Sequence, residues 1–400
     1  MAWVEPEVRR RLQAQTTQLW GAPGVVDLGI GQPQDALLPV EAMARALSGA
    51  AAAGRRYPLQ YGLERGDGNL RVALADFLAE RYGHPADPEL MFVTNGNSQA
   101  IDLCCGVLTS PGDVVFVEEP TYFLALNIFR DHGLRVVGIP VDDEGLSVEV
   151  LEDELTRHRP AFVYTIPAAH NPTGVTLSAG RRARLVELAL EHDFVVVADE
   201  VYHLLRYEGR SPAPLATDIA SGVVLSLGTF SKILAPGLRL GWVQAAEPLL
   251  RRLEARGSVV SGGGLNPLPA SLVAAMLDDG SVSEYLDHLL QVFGERVEVM
   301  DAAVREQLPF DGLGVRYRRP DAGYFFWLRF PDGVDTAAVR PRALALGAGF
   351  QPGRAFSTVG GLPQYLRLSF AYYGADELRT AVAAIGQAFR EAAAGSGPGR

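Results

Sequence analysis

Seven short apolar runs punctuate the middle of the chain: "LMFVTNG", "DVVFVEEP", "RVVGIPV", "AFVYTIP", "FVVVADE", "GVVLSLGTFS" and "LGWVQAA". Most are rich in Val, Ile or Phe and close on polar, Gly or Pro residues, the pattern of a buried strand. Between them, Ser98–Leu108 and Ala179–Glu191 place apolar residues at helical spacing. Strands that are apolar on both faces and alternate with helices predict an α/β unit with a mostly parallel sheet. Beyond about residue 280 the texture changes. A long helical pattern from Ser281 to Gln307 leads into "GYFFWLRF" and "YLRLSFAYY", expected to be strands of a smaller α+β domain. The expected division is an N-terminal arm, 1–44, belonging with the small domain, then a large domain, 45–280, and a small C-terminal domain, 281–391. The tail 392–400, "AAAGSGPGR", is expected to be disordered.

Composition narrows the function. With 400 residues and 48% hydrophobic content the chain can bury a large core. A net charge of −11, with no basic block longer than Arg9-Arg10-Arg11, argues against nucleic acid and anionic membrane as partners. The start, "MAWVEPEVRRRLQAQ", has no apolar core of a signal peptide, and no stretch of eighteen apolar residues follows. A cytoplasmic protein is expected. Cys104 and Cys105 are adjacent in a predicted helix and read as packing residues in a reducing compartment. The seven histidines show no metal-ligand spacing, so no metal is expected. Gly29-Ile30-Gly31 continues as Gln-Pro-Gln, which fails the dinucleotide fingerprint, and no phosphate-loop motif or internal repeat occurs.

One residue stands out against this background. In "SLGTFSKILAPGLRLGW", Ser226 to Trp242, Lys232 is the only lysine of the chain; the other 35 Lys and Arg residues are arginines. Arginine replaces lysine wherever only charge matters, but a guanidinium stays protonated and cannot attack a carbonyl carbon. A lone lysine is either a surface survivor or a Schiff-base residue, and its neighbours decide. The polar residues of this chain fall just after the predicted strands, where open α/β sheets place their ligands.

Taken together, these motifs resemble the fold-type I pyridoxal-phosphate enzymes of the class I/II aminotransferase family, from about Leu28 to Ala371. The resemblance implies an aminotransferase-like fold, with a large mostly parallel-sheet cofactor domain and a smaller α+β domain. It also implies pyridoxal 5'-phosphate as cofactor and a catalytic group of Lys232, Asp199 and Tyr202. Lys232 matches the lysine that holds the cofactor as a Schiff base and then acts as base at Cα. "TNGNSQA" puts Gly96, Ser98 and Gln99 at a strand-to-helix turn suited to an anion. Ser98, Gln99, Thr229, Ser231 and Arg239 match the phosphate ligands, with Thr229 where serine is commoner. Asp199, at the end of an apolar strand, matches the partner of the pyridine nitrogen. Tyr202 and Asn171 match the residues that bond the ring's phenolic oxygen, and Tyr122 the aromatic stacked on the ring face. His170 is expected to support the site rather than react. For the substrate, Arg367 in "YLRLSF" matches the arginine that binds the α-carboxylate, Asn171 reaches the same group, and Gly31 matches a backbone donor to it. Tyr61 matches a tyrosine that crosses to the phosphate of a second subunit, and "SGGGLNP", Ser261 to Pro267, a segment near the interface. A homodimer with shared active sites is therefore expected.

Amino transfer between an α-amino acid and a 2-oxo acid is the expected reaction. Elimination, replacement, cyclisation and oxidation branch from the same quinonoid, and the cofactor ligands do not separate them. A third possibility is the aminotransferase-like domain of a DNA-binding regulator. It needs a basic winged helix ahead of Leu28, and the sequence there is too short for one, so this reading is not expected to hold. "IPAAHNPTG" has Ala168 and Ala169 where bulkier residues are common, which suggests a roomier substrate pocket.

Overall fold

The computed structural model describes residues 24–395. All seven apolar runs are strands of one eight-stranded sheet. In chain order its strands are β1 Met91–Thr94, β2 Val114–Glu119, β3 Arg135–Asp142, β4 Gly145–Leu146, β5 Pro160–Thr165, β6 Val195–Asp199, β7 Val224–Thr229 and β8 Gly241–Ala245. They lie in the order β1-β8-β7-β6-β5-β2-β3-β4. The central run from β7 to β3 is parallel, while β8 is antiparallel to both its neighbours and β4 is antiparallel to β3.

The two-residue period of a strand explains why these runs are apolar throughout. Val115, Val117, Phe162, Tyr164 and Val197 pack into the larger core, shared with the C-terminal part of the chain. Phe116, Val163, Val196 and Ala198 face the opposite way, into a second core with Leu185 and Leu188. Those leucines come from a helix over Ala179–His192, begun by Ser178, whose hydroxyl accepts from the amide of Arg181.

Five helices recur below: α1 Asn97–Leu108, α2 Phe123–Asp131, α3 Phe230–Ile233, α4 Ser281–Gln307 and α5 Ala375–Gly395. The long pattern read from Ser281 to Gln307 is one unbroken helix, and α5 packs along it. A three-stranded antiparallel sheet completes the C-terminal part, with β9 Phe325–Arg329 and β10 Gln351–Pro352 flanking β11 Tyr365–Ser369. Val26–Asp27 pairs in parallel with Ala348–Gly349, fastening the start of the described chain to this part. Helix Val40–Ala52 runs across residue 44, where the arm was expected to end. One expectation is corrected: α5 continues to Gly395, so 392–395 are helical rather than disordered. The alanines there favour helix, and the glycine-proline punctuation begins only after them. Residues 396–400, and 1–23 of the expected arm, lie outside the described residues. Among the described residues, no helix is long and apolar enough to cross a membrane.

Beside Lys232 the sheet is packed without slack. Gly228 in β7 lies directly opposite Trp242 in β8. A Cβ at Gly228 would lie 2.1 Å from Cε2 of that buried indole. The indole cannot retreat, because the ring of Phe230 packs behind it at 5.1 Å. Gly228→Ala is expected to cost about 3 kcal/mol through overpacking, read as a lower midpoint of denaturant unfolding. An unchanged midpoint would mean the β7–β8 pair yields more easily than this packing implies.

Candidate active site

The site gathers at the carboxyl ends of the parallel strands, where each chain reversal leaves backbone groups and polar side chains facing a common crevice. Strand β6 ends on Asp199, which shares its face with Val197 and is almost fully buried. Its Oδ1 accepts from Asn97 Nδ2 at 2.6 Å, and its Oδ2 from the Tyr164 hydroxyl at 2.7 Å. Neither donor carries charge. Burial pushes the carboxyl up to about 6, while those two bonds and the charge of Lys232 oppose the shift.

Strand β7 runs into α3, a single turn that carries Lys232. The Thr229 hydroxyl caps this turn, accepting from the amide of Ser231 at 3.1 Å. The Lys232 amine donates to the carbonyl of Gly31 at 2.7 Å and lies 5.7 Å from the centre of the Tyr324 ring. Burial pushes this amine down to about 8, and the charges of Arg367 and Arg239 push the same way. Gly31, expected as a backbone donor, here serves through its carbonyl.

Arg367, in the middle of β11, is 3% exposed. It donates to Asn171 Oδ1 at 2.8 Å and to the Gly29 carbonyl at 2.7 Å. The guanidinium lies 4.0 Å from the centre of the Phe325 ring and 5.0 Å from that of Phe356. Its Nε is buried with no partner. Burial lowers its pKa to about 10, so it remains a cation at neutral pH. The buried ring of Tyr202 packs edge-on against Phe325, and burial pushes its phenol far above the ordinary range, keeping it a donor. Tyr122 precedes α2, half-buried, with its phenol pushed up to about 12 by burial and by Asp199.

A second group of the expected residues forms a cradle at the start of α1. Gly96 precedes the helix with φ 79° and offers no side-chain cap, so the first amides of α1 are left to another acceptor. A Cβ there would meet the Arg239 guanidinium at 2.9 Å, so the glycine leaves the space beside that cation open. Ser98 is exposed at the same turn, and Gln99 folds back to accept from the amide of Asn95 at 2.7 Å. Thr229 and Ser231 are hydrogen-bonded to each other at 3.1 Å. Amides, hydroxyls and one guanidinium are the donor set that a phosphate dianion takes. Tyr61 stands 85% exposed. It lies against Gly263, within the expected interface segment.

The sequence reading missed four residues that the structure brings in. Asn97 and Tyr164 hold Asp199, and Tyr324 bonds the backbone of Lys232. Glu118, buried at the end of β2, accepts from the Thr165 hydroxyl at 2.7 Å and from the amide of Ile166 at 2.8 Å. His170 Nε2 lies 3.0 Å from the same carboxylate. That anchorage holds the loop that delivers Asn171 to Arg367. A buried glutamate inside an apolar run was the available signal for Glu118.

A model of the family "Aminotransferase class I and II" matches residues 23–385. The chain belongs to that family. The aminotransferase is 34% identical to aromatic-amino-acid aminotransferase 1 of Thermococcus litoralis, an alignment covering 92% of this chain and 88% of the relative. It is 33% identical to a 2-aminoadipate transaminase of Thermus thermophilus, covering 95% of each. Among solved structures, the multiple substrate aminotransferase of Thermococcus profundus superposes with a TM-score of 0.86 at 33% identity, covering 97% of this chain and 95% of that one. The α-aminoadipate aminotransferase of Thermus thermophilus, solved with N-(5'-phosphopyridoxyl)-L-leucine, gives 0.84 at 32%, covering 98% and 100%. With the family come the enzyme class, a transferase, and pyridoxal phosphate as cofactor.

The depressed amine makes a measurable difference in the cofactor-free enzyme. A lowered pKa makes the neutral, reactive form available at lower pH. Acylation of Lys232 by a small amine reagent, followed by peptide mapping to separate it from the N-terminus, is expected to rise through about pH 8 and then level. A rate still climbing at pH 10 would overturn the assignment of a buried, depressed amine.

Proposed function

We propose that this aminotransferase holds pyridoxal phosphate covalently through Lys232 and moves an amino group between an α-amino acid and a 2-oxo acid at the crevice described above. The observation that carries the reading is a set of charges, Asp199 and Arg367 buried and Lys232 partly buried, left without ionic partners. Among the described residues, no opposite charge lies within ion-pair distance of Asp199, Lys232 or Arg367. Their chemistry fits the cofactor and substrate group by group.

When bound, pyridoxal phosphate supplies an electrophilic carbon for the substrate amine and a ring that spreads the charge left when Cα loses its proton. Asp199 keeps the ring nitrogen protonated by offering it a buried carboxylate. Tyr202 and Asn171 donate to the ring oxygen, and Tyr122 covers the ring face. Ser98, Gln99, Thr229, Ser231 and Arg239 hold the phosphate, with Gly96 leaving room beside the Arg239 guanidinium. Arg367 takes the substrate carboxylate with two parallel donors, and Asn171 steadies that guanidinium. These two contacts fix Cα within reach of Lys232. The Lys232 amine would carry the proton at Cα, and burial, which lowers its pKa, makes the neutral base easier to reach.

The aromatic rings around Arg367 support a substrate with an uncharged side chain. Phe356 packs edge-on against both Phe123 and Trp327, forming an apolar wall beside the guanidinium. Two catalytic units per homodimer complete the proposal. Tyr61 is a large aromatic in solvent, flanked by Leu59 and Leu63, both exposed, with Val260 exposed near the neighbouring segment. A second copy of the chain covers this face and receives Tyr61 at its phosphate cradle. The division into a large domain, 45–280, and a small domain formed by 281–391 with the N-terminal arm is part of this reading. So is a cytoplasmic setting, supported by two free, buried cysteines.

Borohydride reduction of the loaded enzyme is expected to fix one pyridoxyl group, mapped to Lys232. In a single turnover without 2-oxo acid, phenylalanine is expected to release one equivalent of its 2-oxo acid and leave the amino group on the enzyme. Aspartate is expected to react far more slowly. Loss of the label at Lys232, or repeated turnover with no acceptor, would overturn the reading. Light scattering is expected to give the mass of two 43.0 kDa chains, whereas an active monomer would refute the shared sites.

A further inference from the structure

The turn that carries Lys232 cannot satisfy its own backbone. Helix α3 has four residues, and the amides of Leu234 and Ala235 both return to the carbonyl of Phe230. The carbonyl of Lys232 would take its helical bond from the amide four residues on, but residue 236 is proline and has none. Buried carbonyls rarely go unpaired. Here the partner comes from across the molecule. The Tyr324 hydroxyl, 92 residues away, donates to the Lys232 carbonyl at 2.8 Å.

Tyr324 is built to stay there. It is fully buried just before β9, with its ring packed edge-on against Tyr202 at 5.4 Å and Phe293 at 5.1 Å. Burial pushes its phenol well above the ordinary range, so the hydroxyl remains a donor throughout the working pH. The same ring lies beneath the Lys232 amine, 5.7 Å from its centre. One side chain from the C-terminal part of the chain therefore meets both ends of the lysine.

We propose that Tyr324 is a positioning residue for Lys232, fixing the peptide from which the amine swings between cofactor and substrate. This rests on the reading of Lys232 as the residue that carries the cofactor. A held carbonyl fixes the root of a side chain with four rotatable bonds, so the amine searches a smaller volume when it must reach Cα. Binding of the substrate carboxylate at Arg367 does not depend on the hydroxyl.

A chain with a single lysine allows the bond to be observed directly. Feeding [1-13C]lysine labels one carbonyl in the whole protein, the acceptor itself. In the loaded wild-type enzyme this resonance is expected to show two shifts on transfer to deuterium oxide, one from the Ile233 amide of the same peptide and one from the Tyr324 hydroxyl. In Tyr324→Phe it is expected to move upfield and keep only the isotope shift of the Ile233 amide. The same variant is expected to lower kcat about tenfold, the scale of one lost hydrogen bond, with the KM for the amino acid within about twofold. Phe293→Leu disturbs the same packing but keeps the hydroxyl, and is expected to leave the labelled carbonyl unmoved. A wild-type carbonyl whose isotope response comes from the Ile233 amide alone overturns the proposal even if Tyr324→Phe fails to fold. So does a folded Tyr324→Phe with normal kcat, or Phe293→Leu matching it in both kcat and carbonyl shift. Borohydride mapping in the same preparations keeps the two readings apart. Label absent from Lys232 removes the underlying assignment, while label present with an unmoved carbonyl removes only the role of Tyr324.

Discussion

Burying a charge without a counter-charge is the constraint around which this site is arranged. Asp199, Lys232 and Arg367 lie in one crevice, and each is held only by neutral groups of the chain. Asp199 has the amide of Asn97 and the hydroxyl of Tyr164, Lys232 has the carbonyl of Gly31, and Arg367 has Asn171 and the carbonyl of Gly29. An isolated buried ion is expensive, and neutral hydrogen bonds repay part of that cost. They keep the charges oriented while leaving each of them without an ion pair. A chain that paired them internally would be more stable and would have nothing left to bind with. On the proposed assignment, the remaining electrostatic demand is met by the ring nitrogen at Asp199 and the substrate carboxylate at Arg367.

The sheet makes that arrangement possible. A strand end is one of the few places where a charge can be buried yet still point into a crevice, because the apolar residues before it are packed on both faces. Asp199 takes the face of Val197 by the period of two, and Thr229 leads β7 into the turn that carries Lys232. The loop after β5 is anchored by Glu118 on the neighbouring β2, so Asn171 is placed by the sheet although it belongs to no strand. Arg367 approaches from the separate three-stranded sheet, and its position relative to Lys232 depends on how the two parts of the chain pack.

Much of this was legible in the sequence, and for a physical reason. Strands buried on both faces are written as unbroken apolar runs, so six of the seven were visible for that reason, while Arg135–Asp142 is apolar though only partly buried, and the polar residue closing a run such as "VVVAD" marked a strand end. Helix α4 was legible from end to end because its period persists over so many turns. What escaped was pairing. Tyr164 reads as core because it lies in such a run; its hydroxyl matters only because β5 lies beside β6, and strand order is not written locally. Asn97 was passed over between Gly96 and Ser98, since nothing in "TNGNSQA" says which side chain turns towards β6. Tyr324 was hidden among the aromatics of "GYFFWLRF", its partner a main-chain atom 92 residues away. The end of α5 was misjudged because the alanines of 392–394 suit a helix as well as a tail.

The sole lysine and the buried arginine show why the two basic side chains are not exchangeable here. Both lie in the same low-dielectric crevice, and burial lowers both pKa values. For Lys232 the result is about 8, for Arg367 about 10. The amine therefore falls to within about a unit of physiological pH, where it can both lose and regain its proton, while the guanidinium, starting higher, stays charged. One environment thus yields a group able to give and take a proton and a group able only to hold an anion. A composition that favours arginine everywhere else could exchange every lysine whose task was charge, solubility or surface pairing. It could not exchange the one whose task requires losing its proton in a site where its neighbours must keep theirs.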